Sequence, residues 1–173
     1  MEGATEFQLV NEKASYSLPP GSSMNPTEMT VDVLFDPVKL GVSRGRIVAS
    51  ALTAGEFVFI LEGTCLHPQP KGPFSLHADN GELQPPLEFR NPFLRPYAFK
   101  IFSSNRAFQV RESTDSVKSK KTTSINVSFV APLEGEASKD FSLLSQITVT
   151  PILESSASPD ELVEWIYYVK CAM

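Results

Sequence analysis

Alternation constrains this chain more than any other feature of its sequence. Ile125, Val127 and Phe129 are apolar, and Ser124, Asn126 and Ser128 between them are polar. Successive side chains of a strand point to opposite faces, so this pattern describes a strand with one buried and one wet face. The same period recurs in Met29-Val31-Val33-Phe35, Leu87-Phe89, Tyr97-Phe99-Ile101, Phe108-Val110 and Trp165-Tyr167-Val169. The helical period is nearly missing. Fourteen prolines in 173 residues exceed the usual share of about 5%. Proline breaks helix interiors and cannot donate to a ladder, so short strands and turns are favoured. The chain is expected to be all-β.

Further strands are expected at Arg44–Ala51, Phe74–Ala78, Phe141–Ile152 and Glu164–Cys171, with weaker ones at Glu6–Val10 and Ser15–Leu18. In Glu56–Glu62 both faces are apolar, through Phe57, Val58, Phe59 and Ile60. That is the pattern of a central strand covered on both sides. Between Gly63 and Pro73 lie Pro68 and Pro70, and three prolines with two glycines predict an extended, stiff link. Asp79-Asn80-Gly81 supplies a turn, and the polar stretches Ser113–Thr123 and Glu154–Asp160 predict exposed loops. Residues 74–173 thus carry about seven strands in about 100 residues, the spacing of an immunoglobulin-like β-sandwich. Residues 1–66 offer only four or five and read as the later strands of a similar module, joined by a linker at 67–73. Met1 is accordingly expected to open a fragment or a short isoform.

Composition narrows the function. Hydrophobic residues make up 42% and charged residues 20%, close to globular averages. A net charge of −5 argues against a nucleic-acid binder, which needs a basic face. The first residues carry no basic and apolar leader, and the apolar run Phe57–Leu61 is far too short for a membrane span. Cys65 and Cys171 are too few for a disulfide framework, so reduced thiols and an intracellular setting are expected. There the sequon Asn126-Val127-Ser128 is a coincidence.

Few residues carry chemistry. Cys65, His67, His77 and Cys171 lack the paired spacing of a zinc site, so no metal is expected. No nucleophile elbow or phosphate loop occurs. No catalysis, cofactor or small-molecule substrate is expected. One region is locally basic: Lys100, Arg106, Arg111, Lys118, Lys120 and Lys121 stand against only Glu112 and Asp115. It reads either as a contact for an acidic partner, such as a microtubule surface, or as a solvated loop, the simpler alternative. Trp165, Tyr167 and Val169 share a face and are expected in the core. Tyr168 points the other way and is the better candidate for a contact.

The stretch Gly55-Glu56-Phe57-Val58-Phe59-Ile60-Leu61-Glu62-Gly63-Thr64-Cys65, followed by Pro68-Gln69-Pro70-Lys71-Gly72-Pro73-Phe74, resembles a junction between consecutive modules of the ASH domain family. Phe89-Arg90-Asn91-Pro92-Phe93, Asn105-Arg106-Ala107-Phe108 and Trp165–Lys170 resemble later strands of one such module. Phe35-Asp36-Pro37 with Gly41 resembles the matching segment of the module before it. Where the family usually has Phe-Lys-Asn, this chain has Phe89-Arg90-Asn91, with Pro85-Pro86 ahead of it. The resemblance implies tandem ASH/MSP-like sandwiches of cilia- and flagella-associated proteins, chiefly around the central apparatus of the axoneme, with no catalysis. Expected partners are axonemal proteins, microtubule-associated ones among them, in the cytoskeleton of a cilium or flagellum. A cytosolic trafficking adaptor is the alternative, because related sandwiches also serve as docking modules there.

Overall fold

The computed structural model describes residues 2–3, 6–10, 17, 27–77, 81–130, 143–153 and 162–172. The expected turn at Asp79-Asn80, the loop at 154–160, the start of the Phe141 strand and most of the Ser15–Leu18 strand lie outside the described residues. In chain order the strands are β1 (Glu2–Gly3), β2 (Phe7–Leu9), β3 (Val33–Phe35), β4 (Gly41–Ala51), β5 (Gly55–Cys65), β6 (Lys71–His77), β7 (Leu87–Arg90), β8 (Phe99–Ser103), β9 (Phe108–Val110), β10 (Thr122–Ile125), β11 (Val127–Phe129), β12 (Leu144–Pro151) and β13 (Trp165–Ala172). The protein is all-β, of the immunoglobulin-like sandwich type. It divides into two compact units, Met1–Pro37 with Gly41–Cys65 and Val38–Leu40 with Leu66–Met173.

In the second unit, one sheet has the order β6-β13-β12-β8. β12 runs antiparallel to both neighbours, and β6 lies parallel to β13. A shift in the β6–β13 register falls between Tyr167 and Val169. There Gly72, at φ 113, passes so close to the Tyr168 carbonyl that a Cβ has no room. The same unit holds two further short antiparallel pairs, β10 with β7 and β11 with β9. One polar residue, Asn126, separates β10 from β11, so a single extended segment changes partner from β7 to β9.

Alternation decides the core. Leu87, Phe89, Phe99, Ile101, Ile125, Val127, Ile147, Val149, Tyr167 and Val169 are all buried. Trp165 is half-buried, with its ring edge-on to Phe89 at 5.0 Å and Phe99 at 6.2 Å. Phe129 departs from the expected pattern. At the end of its strand it is only half-buried, held edge-on by Phe108 at 5.2 Å.

The stretch Ser113–Thr123 is not a free loop. β8 is the outer strand of its sheet, so the backbone groups on its open side need partners. Ile101 N donates to Glu112 O at 2.6 Å, and Thr114 N to Phe99 O at 3.0 Å. Phe99 N donates in turn to Thr114 Oγ1 at 2.9 Å. Just before β8, Tyr97 and Val117 exchange both backbone bonds, at 3.1 and 2.8 Å, and Val117 is buried. The polar segment is therefore tied down along β8.

In the first unit, β4 and β5 form a hairpin of eleven paired residues on each side, and the sheet order is β1-β4-β5. β5 is thus an outer strand, not the covered central one its sequence predicts. Phe57, Val58, Phe59 and Ile60 are 51%, 52%, 57% and 73% exposed, so neither face of this stretch is covered. The expected strand at Met29–Phe35 is likewise shorter: among the described residues the strand spans Val33–Phe35, paired with β2, and Met29 is exposed. Among the described residues, the buried part of this unit is small. Phe7 stacks on Phe35 at 4.9 Å, and the Phe35 ring lies on the backbone of Gly63. Buried Ser43 donates its hydroxyl to the buried carboxylate of Glu6.

Candidate protein-interaction groove

The basic region of the sequence folds around a groove in the second unit. The segment Ser113–Lys118 forms one wall, and Lys121 with β10 and Asn126 forms the other. The groove encloses about 420 Å³. Its floor includes Ile101, Val117 and Ile125, all buried. Its walls are hydroxyl-rich, through Ser113, Thr114, Ser116, Thr122, Thr123 and Ser124. Three cations line it, Arg111, Lys118 and Lys121, against the single carboxylate of Asp115. Arg111 Nη2 and Asp115 Oδ1 are 3.2 Å apart on an exposed surface. Such a pair contributes little, about 0–1 kcal/mol, so Arg111 is available to another anion.

Local structure holds the lysines in place. Lys121 N donates to Lys118 O at 3.2 Å across a tight turn, in which Lys120 takes a left-handed φ of 58°. Asn91 anchors that turn from inside the protein. Its fully buried Nδ2 donates to Val117 O at 2.9 Å and Arg95 O at 3.0 Å, and its backbone N donates to Lys121 O at 2.9 Å. Ser119 Oγ adds a bond to Phe93 O at 3.1 Å.

Of the residues singled out by sequence, the groove brings together Arg111, Lys118 and Lys121. The other four are not among its lining residues. Lys100 is exposed on β8, opposite Thr150 of β12. Arg106 lies exposed between β8 and β9, and Lys120 is half-buried, its carbonyl accepting from Arg90 Nε at 3.4 Å. Tyr168 is partly exposed on β13, opposite Gln146. Asn91 and the hydroxyls of β10 escaped the sequence reading. An Asn before a proline, with its side chain free to close a turn, was the available signal for Asn91.

The soft ligands form no centre: among the described residues, no three His, Cys, Asp or Glu converge as a metal site requires. Both thiols are held above their ordinary pKa. Burial does so at Cys171, and at Cys65 burial acts first and the nearby Glu6 carboxylate second.

No family model matches the chain. Two curated relatives do. The chain is 38% identical over 148 residues to the human hydrocephalus-inducing protein homolog, a match covering 83% of this chain and 3% of that protein. It is 34% identical over 145 residues to the mouse hydrocephalus-inducing protein, again covering 83% of the chain and 3% of the relative. The chain belongs to the Hydin-like ASH domain family. It spans about 3% of the length of these curated relatives. A match of 148 residues is longer than either compact unit alone, so the Hydin-like stretch runs through both.

Proposed function

We propose that the chain is a non-catalytic structural and protein-interaction module of motile cilia and flagella. In this reading it is part of a scaffold of the axoneme, near the central apparatus, and contributes to motility. The observation that carries the proposal is the Hydin-like match extending across two consecutive all-β units. Tandem sandwiches act passively, by spacing out surfaces, and many weak contacts along an array add through effective concentration. The groove walled by Ser113–Lys118 and β10 is one such surface on this chain, and the uncovered β5 is another.

Fluorescence imaging of the tagged chain in cells bearing motile cilia tests the proposal. Signal along the ciliary shaft is the expected result. Signal confined to internal membranes would replace this reading with that of a trafficking adaptor.

A further inference from the structure

We propose that the groove takes an extended, glutamate-rich peptide segment lying along β10. Its carboxylates would meet Lys118 and Lys121 at one end and Arg111 at the other. The inference deepens the interaction-module reading and says nothing of location, so peptide binding and ciliary targeting can fail separately.

Spacing argues for a peptide. The pairing of Val127 with Val110 sets Arg111 beside Asn126, while Lys121 directly precedes Thr122. Lys121 and Asn126 are five positions apart, about 16 Å at a rise of about 3.3 Å per residue. A single small anion cannot bridge that span, whereas carboxylates along an extended chain can. β10 is paired with β7 on one side, and its other side borders the groove. An extended segment can add there through main-chain bonds, with the wall hydroxyls as further donors and acceptors. The buried floor of Ile101, Val117 and Ile125 suits the apolar side chains that alternate with glutamates on such a segment.

Charge argues for an acidic peptide. The chain carries a net charge of −5, yet three cations and one carboxylate line the groove. A locally positive cleft on an acidic molecule steers anionic segments to that place and away from the rest of the surface. The exposed Asp115 holds Arg111 weakly enough for an incoming carboxylate to displace it.

The test uses the whole chain and a fluorescein-labelled decapeptide of alternating glutamate and valine, followed by anisotropy at low salt. Saturable binding is expected, with the matching glutamine–valine peptide about tenfold weaker or worse. Reversing both lysines, Lys118→Glu with Lys121→Glu, should weaken binding by about tenfold with the melting temperature unchanged. If that variant melts lower, Lys118→Gln with Lys121→Gln carries the test. Arg106→Glu with Lys170→Glu makes the same change in net charge at exposed residues that do not line the groove and should shift affinity by less than about threefold. Four results would overturn the proposal: no saturable binding, equal binding of the glutamine peptide, equal losses in the two double variants, or displacement of the peptide by inorganic phosphate at matched ionic strength.

Discussion

The side-chain amide of Asn91 donates to the carbonyl of Val117, 2.9 Å away and 26 residues later in the chain. Around it, Asn91 Oδ1 accepts from Phe93 N at 2.9 Å, and the same amide reaches Arg95 O at 3.0 Å. A single fully buried side chain thus ties the turn after β7 to the wall of the groove. Asn91→Ala takes away the acceptor of the buried Phe93 N and the amide donor to Arg95 O and Val117 O, although Val117 O keeps its bond from Tyr97 N. The substitution should destabilise the second unit by about 2–4 kcal/mol, since each buried group left unpaired costs about 1–3 kcal/mol when some relaxation is allowed. Asn91→Asp keeps the shape but turns a donor into a second acceptor facing carbonyl oxygens, and should be no better tolerated. Urea denaturation measures both, and a loss under about 0.5 kcal/mol in either would contradict the anchoring role.

Phenylalanine truncations should separate the centre of the core from its end. Phe99 is fully buried between Phe89 and Tyr97, so Phe99→Ala should cost about 3–5 kcal/mol. Phe129 is half-buried and should cost less, about 1–3 kcal/mol. Equal losses would mean that the end of β11 is as well covered as the centre of β8.

Tyr167 makes stability depend on pH at the alkaline end. Burial raises its phenol from the ordinary value near 10 to about 12. Between those values the unfolded chain gives up the proton first, so unfolding gains. The contribution of Tyr167 is complete below about pH 10 and is lost as the pH rises toward 12. Tyr167→Phe should flatten that part of the stability–pH curve. At neutral pH it should cost about 0.5–1.5 kcal/mol, for the lost bond to Glu88 O at 3.2 Å. An unchanged alkaline slope in the variant would assign the effect to other groups.

The uncovered stretch of β5 makes a prediction about association. Ile60 is 73% exposed on an outer strand, and open apolar edges are templates for further strands. Ile60→Lys should change stability by less than about 0.5 kcal/mol. It should also lower self-association of the chain in sedimentation velocity. A large loss of stability would show that Ile60 is covered.

Where one face of a strand is buried and the other wet, the sequence already showed the fold. Ile125 and Val127 are inside and Asn126 outside, as a period of two requires. The same rule placed Tyr167 and Val169 in the core. It misled at Glu56–Glu62, because an apolar run records which residues are greasy and not whether a neighbour covers them. At Ser113–Thr123 polarity correctly marks a mostly exposed loop as far as Lys121, but does not show that the loop is tethered. That segment is fixed by the open side of β8, and nothing local in the sequence announces the need for a partner there. The groove has the same difficulty. Arg111, Lys118 and Lys121 were visible as a basic region, but separating them from Lys100 and Arg106 required the β9–β11 register.

The proposed role as a structural module of the axoneme requires that the chain's own surfaces hold it there. Its most direct test is retention of the tagged chain on demembranated axonemes, compared with the Lys118→Glu, Lys121→Glu variant. The wild-type chain is expected to stay with the axonemes after detergent, and the variant to be depleted several-fold, more so as salt is raised. Complete release of the wild-type chain with the membrane fraction would contradict it.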